Sequence, residues 1–118
     1  MEERKKNALK EAGIDIDNAL ERFMGNEALL ERFLKKFLED SNHAALNAAV
    51  SAGDQEAALT AAHTLKGVSG NLSIIPLHDL LTRQVQLFRE NNWEEAVAVM
   101  PQISKVYETV EDTIRQEL

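Results

Sequence analysis

The residues best suited to chemistry lie together in Ala61-Ala62-His63-Thr64-Leu65-Lys66-Gly67-Val68-Ser69-Gly70-Asn71-Leu72. An imidazole keeps a basic ring nitrogen near neutral pH and can take up and release a phosphoryl group as a nucleophile. A helix advances ~100° per residue, so Ala58, Ala61, Leu65, Val68 and Leu72 gather on one side. His63 falls about 180° from the middle of that stripe, with Lys66, Gly67 and Gly70 within about 60° of it. The spacing therefore predicts an imidazole that projects into water.

The neighbours of His63 sharpen that chemistry. Each glycine costs about 1 kcal/mol relative to alanine inside a helix, and packing asks for none on an outward face. What Gly67 supplies is clearance, so that a bulky partner can bring a reacting atom to the ring. Glycine also suits a helix end or kink, a reading that Gly70-Asn71 fits more readily than Gly67 does. Lys66 stands one turn beyond His63, where its ammonium can offset the roughly −1.5 to −2 charges of a phosphoryl group. Leu59, one turn before, shares the outward face and joins Gly70 as a candidate partner-docking residue.

The elements that position this helix follow from the punctuation marks Gly13, Gly25-Asn26, Gly53-Asp54, Pro76 and Asn91-Asn92. A weakly amphipathic segment spans about 2–12, and a short one after Asp15 carries Ile16, Ala19, Leu20 and Phe23. A long segment over roughly 27–52 starts at Asn26 as N-cap, with a stripe of Leu30, Phe33, Leu34, Phe37, Leu38, Ala44, Ala45 and Ala48. Asp54 caps the reactive segment, which runs to about Ser73. The next starts at Pro76, a residue suited to a first helical turn, and buries Leu77, Leu80, Leu81, Gln84 or Val85, and Phe88. The last pairs Asn92 as N-cap with Glu95 in a capping-box pattern. Its stripe is Ala96, Val99, Met100, Ile103, Val106, Tyr107, Val110 and Ile114, and Pro101 should kink or divide it. These patterns predict an all-α fold, an antiparallel four-helix bundle with the short N-terminal helices packed across one end.

Composition narrows the function classes. The 118 residues form one domain, and 44% apolar content with four Phe, one Tyr and one Trp implies a core built mainly from aliphatic residues. Without cysteine there are no disulfides, thiolate metal sites or cysteine nucleophiles. A net charge of −7 with scattered basic residues disfavours nucleic acid and anionic membrane as partners. No apolar run reaches the ~20 residues that span a bilayer, and no secretory signal follows Arg4-Lys5-Lys6. A cytoplasmic protein with a protein partner is the expectation.

His63-Thr64-Leu65-Lys66-Gly67, followed by Ser69-Gly70-Asn71-Leu72, resembles the signature of histidine-containing phosphotransfer (HPt) domains of bacterial multistep phosphorelays. Gly13-Ile14-Asp15, Ala19-Leu20-Glu21-Arg22-Phe23, Phe33 through Phe37-Leu38, and Gly53-Asp54 extend the resemblance over nearly the whole chain. It implies a four-helix bundle whose histidine takes phosphate from one receiver domain's aspartate and passes it to another's. Carried onto this chain, His63 is the phosphoacceptor, Lys66 the charge partner and Gly67 the clearance residue. The resemblance implies no cofactor on the chain and no kinase activity of its own, the Mg2+ used in transfer belonging to the receiver. Many members continue with Leu-Gly-Ala where this chain reads Leu72-Ser73-Ile74, and carry a Leu-Glu pair where it has Leu80-Leu81-Thr82-Arg83.

Rival readings predict different things. A di-iron bundle uses Glu-x-x-His pairs, but Asp40, Thr60 and Ile75 stand three residues before His43, His63 and His78, so no metal site is expected. A helical adaptor without chemistry would tolerate loss of His63. The phosphoacceptor domain of a chemotaxis-type kinase shares the bundle, but usually reads His-Ser-Ile-Lys-Gly. His43 and His78 read as surface or helix-end residues, Trp93 as packing against the bundle end. The acidic clusters Glu2-Glu3, Glu94-Glu95 and Glu108/Glu111-Asp112 read as solvated faces. The pattern stops at Leu118 without a glycine, which leans toward a domain cut from a hybrid sensor kinase over a free-standing protein.

Overall fold

The computed structural model describes residues 1–118. Eight helices follow one another: α1 (Glu3–Ala12), α2 (Ile16–Arg22), α3 (Glu27–Phe37), α4 (Asn42–Ala52), α5 (Gln55–Asn71), α6 (Ile75–Arg89), α7 (Trp93–Ala98) and α8 (Met100–Glu117). The fold is an all-α bundle. Its four expected columns are α3 with α4, α5, α6, and α7 with α8, the first and last each being broken in two.

The break in the first column corrects the expected continuous helix over 27–52. Asp40 Oδ1 accepts hydrogen bonds from the backbone N–H of Asn42 at 2.9 Å and from its side chain at 3.0 Å. Such local bonds compete with the helical ladder, and they end α3 without glycine or proline. The apolar stripe changes register across the break. Leu30, Leu34 and Phe37 are buried as expected, but beyond it Leu46 and Ala49 turn inward while Ala44, Ala45 and Ala48 face solvent. Phe33, assigned to the core stripe, is 40% exposed.

The last column divides at Pro101 as expected. Proline cannot donate to the ladder, and α7 ends at Ala98 before α8 restarts at Met100. Gln84 and Val85 both face inward, and buried Gln84 donates to the Ala96 carbonyl at 3.0 Å, which clamps α7 to α6. Trp93 packs its ring 5.6 Å from that of Phe88. The capping box is not made, because the Asn92 side chain caps nothing.

Three caps form as side chains accept from the third residue on: Asp15 from Asn18 N–H, Asn26 from Leu29 N–H, and Asp54 from Ala57 N–H. Each satisfies a backbone donor that a helix start leaves unpaired. Asp54, with Gly53 in the left-handed region (φ 69°), thereby fixes where α5 begins.

The reactive helix is held on two sides, by α4 and α6, while α8 packs against α6, α3 and α1. The α5–α6 turn closes in a Schellman motif, Ile74 N–H donating to Ser69 C=O and Ser73 N–H to Gly70 C=O. The left-handed position of that motif usually holds glycine; here Ser73 fills it at φ 56°. The N-terminal helices meet the bundle at this end, through an antiparallel bridge between Ile14 and Ile74 and a bond from Asp15 N–H to Ser73 C=O. No helix is long and apolar enough to cross a membrane.

Candidate functional site

His63 lies in the middle of α5 and is exposed, while Ala58, Ala61, Ala62 and Leu65 bury the opposite face. Thr64 turns its hydroxyl back onto the Thr60 carbonyl at 2.9 Å, and so does not reach toward the imidazole beside it. One turn on, a Cβ built on Gly67 would meet nothing within 4 Å. A strip of bare backbone therefore adjoins the ring. Lys66 is half-buried on the same side, its stem lying on the protein as lysine stems commonly do.

His63, Lys66, Gly67 and Gly70 line one open concavity of about 340 Å³, together with Arg22, Asn71, Ile75 and His78. Three elements build it: α5 as the floor, α6 through Ile75 and His78, and α2 through its last residue, Arg22. No carboxylate lines it, although the chain as a whole carries a charge of −7. An anion entering here meets lysine, arginine and two imidazoles.

Gly70 is in the concavity, but its missing side chain is used from within. A Cβ there would stand 3.0 Å from His78 Nδ1, against which α5 and α6 close. That nitrogen lies 3.1 Å from the Lys66 carbonyl. A carbonyl only accepts, so Nδ1 carries the proton and donates. Lys66 C=O also accepts from Ser69 Oγ at 3.0 Å. These bonds pin the backbone one turn beyond His63.

Leu59 does not join the concavity. It is half-buried and packs against the main core, which corrects its assignment to a fully outward face. His78, expected to be an idle surface residue, is half-buried and bonded. His43 is also half-buried: its ring stacks on Tyr107 at 4.1 Å and 20°, with Nε2 3.0 Å from Ser104 Oγ. Burial lowers the His43 pKa below its ordinary value, Glu108 and Glu111 opposing weakly. Burial likewise pushes the Tyr107 hydroxyl up to about 12.

Sequence reasoning missed Arg22 and His78 as site residues. The wheel of α5 holds no information about other elements. One signal for His78 was present: positions 70 and 78 are equidistant from 74, the last residue of the turn, so a helical hairpin places glycine opposite histidine. Arg22 carried no comparable mark.

The exposed histidine on a helix floored by glycine agrees with the comparison of the chain with protein families. The family model described as Hpt domain matches residues 28–113, from α3 into α8. The chain belongs to the Hpt domain family. Members of this family carry out histidine phosphotransfer in phosphorelays and interact there with receiver domains. No curated protein and no solved structure matches the chain. The Hpt match begins beyond α1 and α2, so Arg22 enters the concavity from outside the matched residues.

Proposed function

We propose that this Hpt domain accepts a phosphoryl group on His63 from the aspartate of one receiver domain and passes it to the aspartate of another. The observation that carries this reading is the exposed His63 ring beside the open flank of Gly67.

The chemistry needs little else from the chain. A ring nitrogen of His63 supplies an electron pair to phosphorus, and the P–O bond of the aspartyl phosphate breaks as the P–N bond forms. The carboxylate departs with the bonding pair, and the second ring nitrogen keeps its proton. The reverse sequence hands the group to a second receiver. Lys66 offsets phosphoryl charge without fixed geometry, as suits a flexible ammonium. Gly67 lets the donor carboxylate approach in line. Any Mg2+ belongs, in this reading, to the receiver, and the chain acts as a carrier in the cytoplasm. The receivers include one in a hybrid sensor histidine kinase, of which this domain is a part or a partner.

Incubation with a phosphorylated receiver domain, followed by mapping of acid-labile phosphate, tests the proposal. Label is expected on His63 and absent from His63→Gln. An adaptor without chemistry would bind its partners equally well with either residue, and label on another side chain would overturn the reading.

A further inference from the structure

Four basic side chains line the concavity, yet transfer through His63 and Lys66 employs only two of them. His78 is committed through Nδ1 to the Lys66 carbonyl. Arg22 is held differently. Its Nε donates to Asn18 Oδ1 at 3.1 Å, one turn earlier in α2. The same oxygen accepts from Ser73 Oγ at 2.7 Å.

Ser73 makes this arrangement unusual. It is fully buried and sits at φ 56°, where a side chain is strained and glycine is not. Glycine there would lack the hydroxyl, whose hydrogen bond goes to the Asn18 oxygen. Asn18 in turn takes the Arg22 Nε, so the guanidinium is oriented by a chain of two bonds anchored in the α5–α6 turn. That leaves both Nη groups for a ligand. A guanidinium with fixed orientation is suited to a paired contact with a carboxylate or phosphate.

We infer that Arg22 is a specificity-determining contact for the phosphorylated partner, pairing with an anionic group that the partner carries beside its phosphoryl group, and that Ser73 positions Arg22 through Asn18. The inference rests on the proposed transfer through His63. The concavity is then two-ended: Lys66 answers the phosphoryl group at His63, and Arg22 answers the protein that delivers it. Arg22 contributes to docking and not to bond exchange, so its loss falls on KM and leaves kcat near the native value.

The experiment measures single-turnover phosphate transfer over a range of receiver concentrations, whose half-saturation and plateau rate serve as KM and kcat, and labelling by a small donor. Receiver domains of the source organism are phosphorylated with acetyl phosphate, and the one that labels the native chain fastest serves as donor. Arg22→Gln should raise KM for that receiver about tenfold, the worth of a charge-assisted hydrogen bond, with kcat within about twofold. Labelling of His63 by phosphoramidate, which presents no protein surface, should not change. Ser73→Gly keeps a backbone that glycine adopts freely, so it should remain folded while raising KM by about threefold, the effect of a loosened arm. Arg22→Lys should fall between native and Arg22→Gln.

Native KM in Arg22→Gln overturns the inference while the transfer reading stands. Native KM in Ser73→Gly removes the positioning role of Ser73. A fall in phosphoramidate labelling in Arg22→Gln would place Arg22 at the phosphoryl group itself and also overturn the docking role. If neither phosphoramidate nor any receiver labels native His63, the transfer reading fails and this inference fails with it.

Discussion

His63 and His43 sit on adjacent, mutually packed helices, and their surroundings give the same side chain opposite uses. His63 on α5 has water before it and the open flank of Gly67 one turn away. His43 on α4 lies flat against Tyr107 and reaches Ser104 on α8, joining two columns of the bundle. One ring is free to react and holds nothing together; the other holds helices together and is not free. The difference shows that reactivity here is made by withholding neighbours, whereas stability is made by supplying them. His78 stands between the two, lining the concavity but spending one nitrogen on the backbone of Lys66.

The largest effect expected is the crossed result of deleting each ring. His63→Gln should abolish phosphate uptake from a phosphorylated receiver, with unfolding free energy within about 0.5 kcal/mol of native, as for most exposed positions. His43→Ala should keep uptake. Phosphate on His43 in the native chain, or uptake surviving in His63→Gln, would break the comparison at its root.

Filling the open flank comes next. Gly67→Leu should slow transfer from a receiver by tenfold or more, because the side chain projects where the partner must approach. The same change should stabilise the isolated chain by roughly 1 kcal/mol, since a good helix former replaces glycine and its Cβ meets no atom within 4 Å. Urea unfolding beside a transfer assay checks both signs. Gly70→Ala forms the control within the same helix. It should gain nothing, because its new methyl meets His78 Nδ1 at 3.0 Å.

Confined to stability, with no effect on transfer, is the cost of emptying the His43 stack. His43→Ala should lower unfolding free energy by about 1.5–2.5 kcal/mol, from an aromatic pair worth roughly 0.5–1.5 and a hydrogen bond worth about 1. A loss no larger than that of His63→Gln would mean that the stack contributes nothing.

Much of this contrast was legible in the residues themselves. His63, Lys66 and Gly67 share one helix, so helical geometry alone related them, and Asp54 and Pro76 marked the starts of the helices that matter. The concealed features each depend on tertiary contact. The break at 38–41 is set by Asp40 bonding to Asn42, a local preference that an apolar stripe running past it disguises. Arg22 and His78 reach the site from α2 and α6, and the stack of His43 on Tyr107 joins residues far apart in the chain. Leu59 misled because a helical wheel gives direction and not the depth of the neighbouring helices.

The finest effect expected of the half-buried ring is its response to acid. Burial lowers the His43 pKa in the folded state, so between that depressed value and the ordinary ~6.5 the unfolded chain binds a proton that the folded chain refuses. The contribution of His43 to stability is therefore complete above about pH 6.5 and is lost as pH falls through the folded-state pKa. His43→Phe keeps an aromatic ring on Tyr107 and removes the titrating group. Between pH 8 and 5, measured by urea unfolding, the native chain should lose more stability than this variant. Equal pH slopes for native and His43→Phe would show that the proton reaches His43 at no cost, and that burial against Tyr107 does not hold the ring neutral.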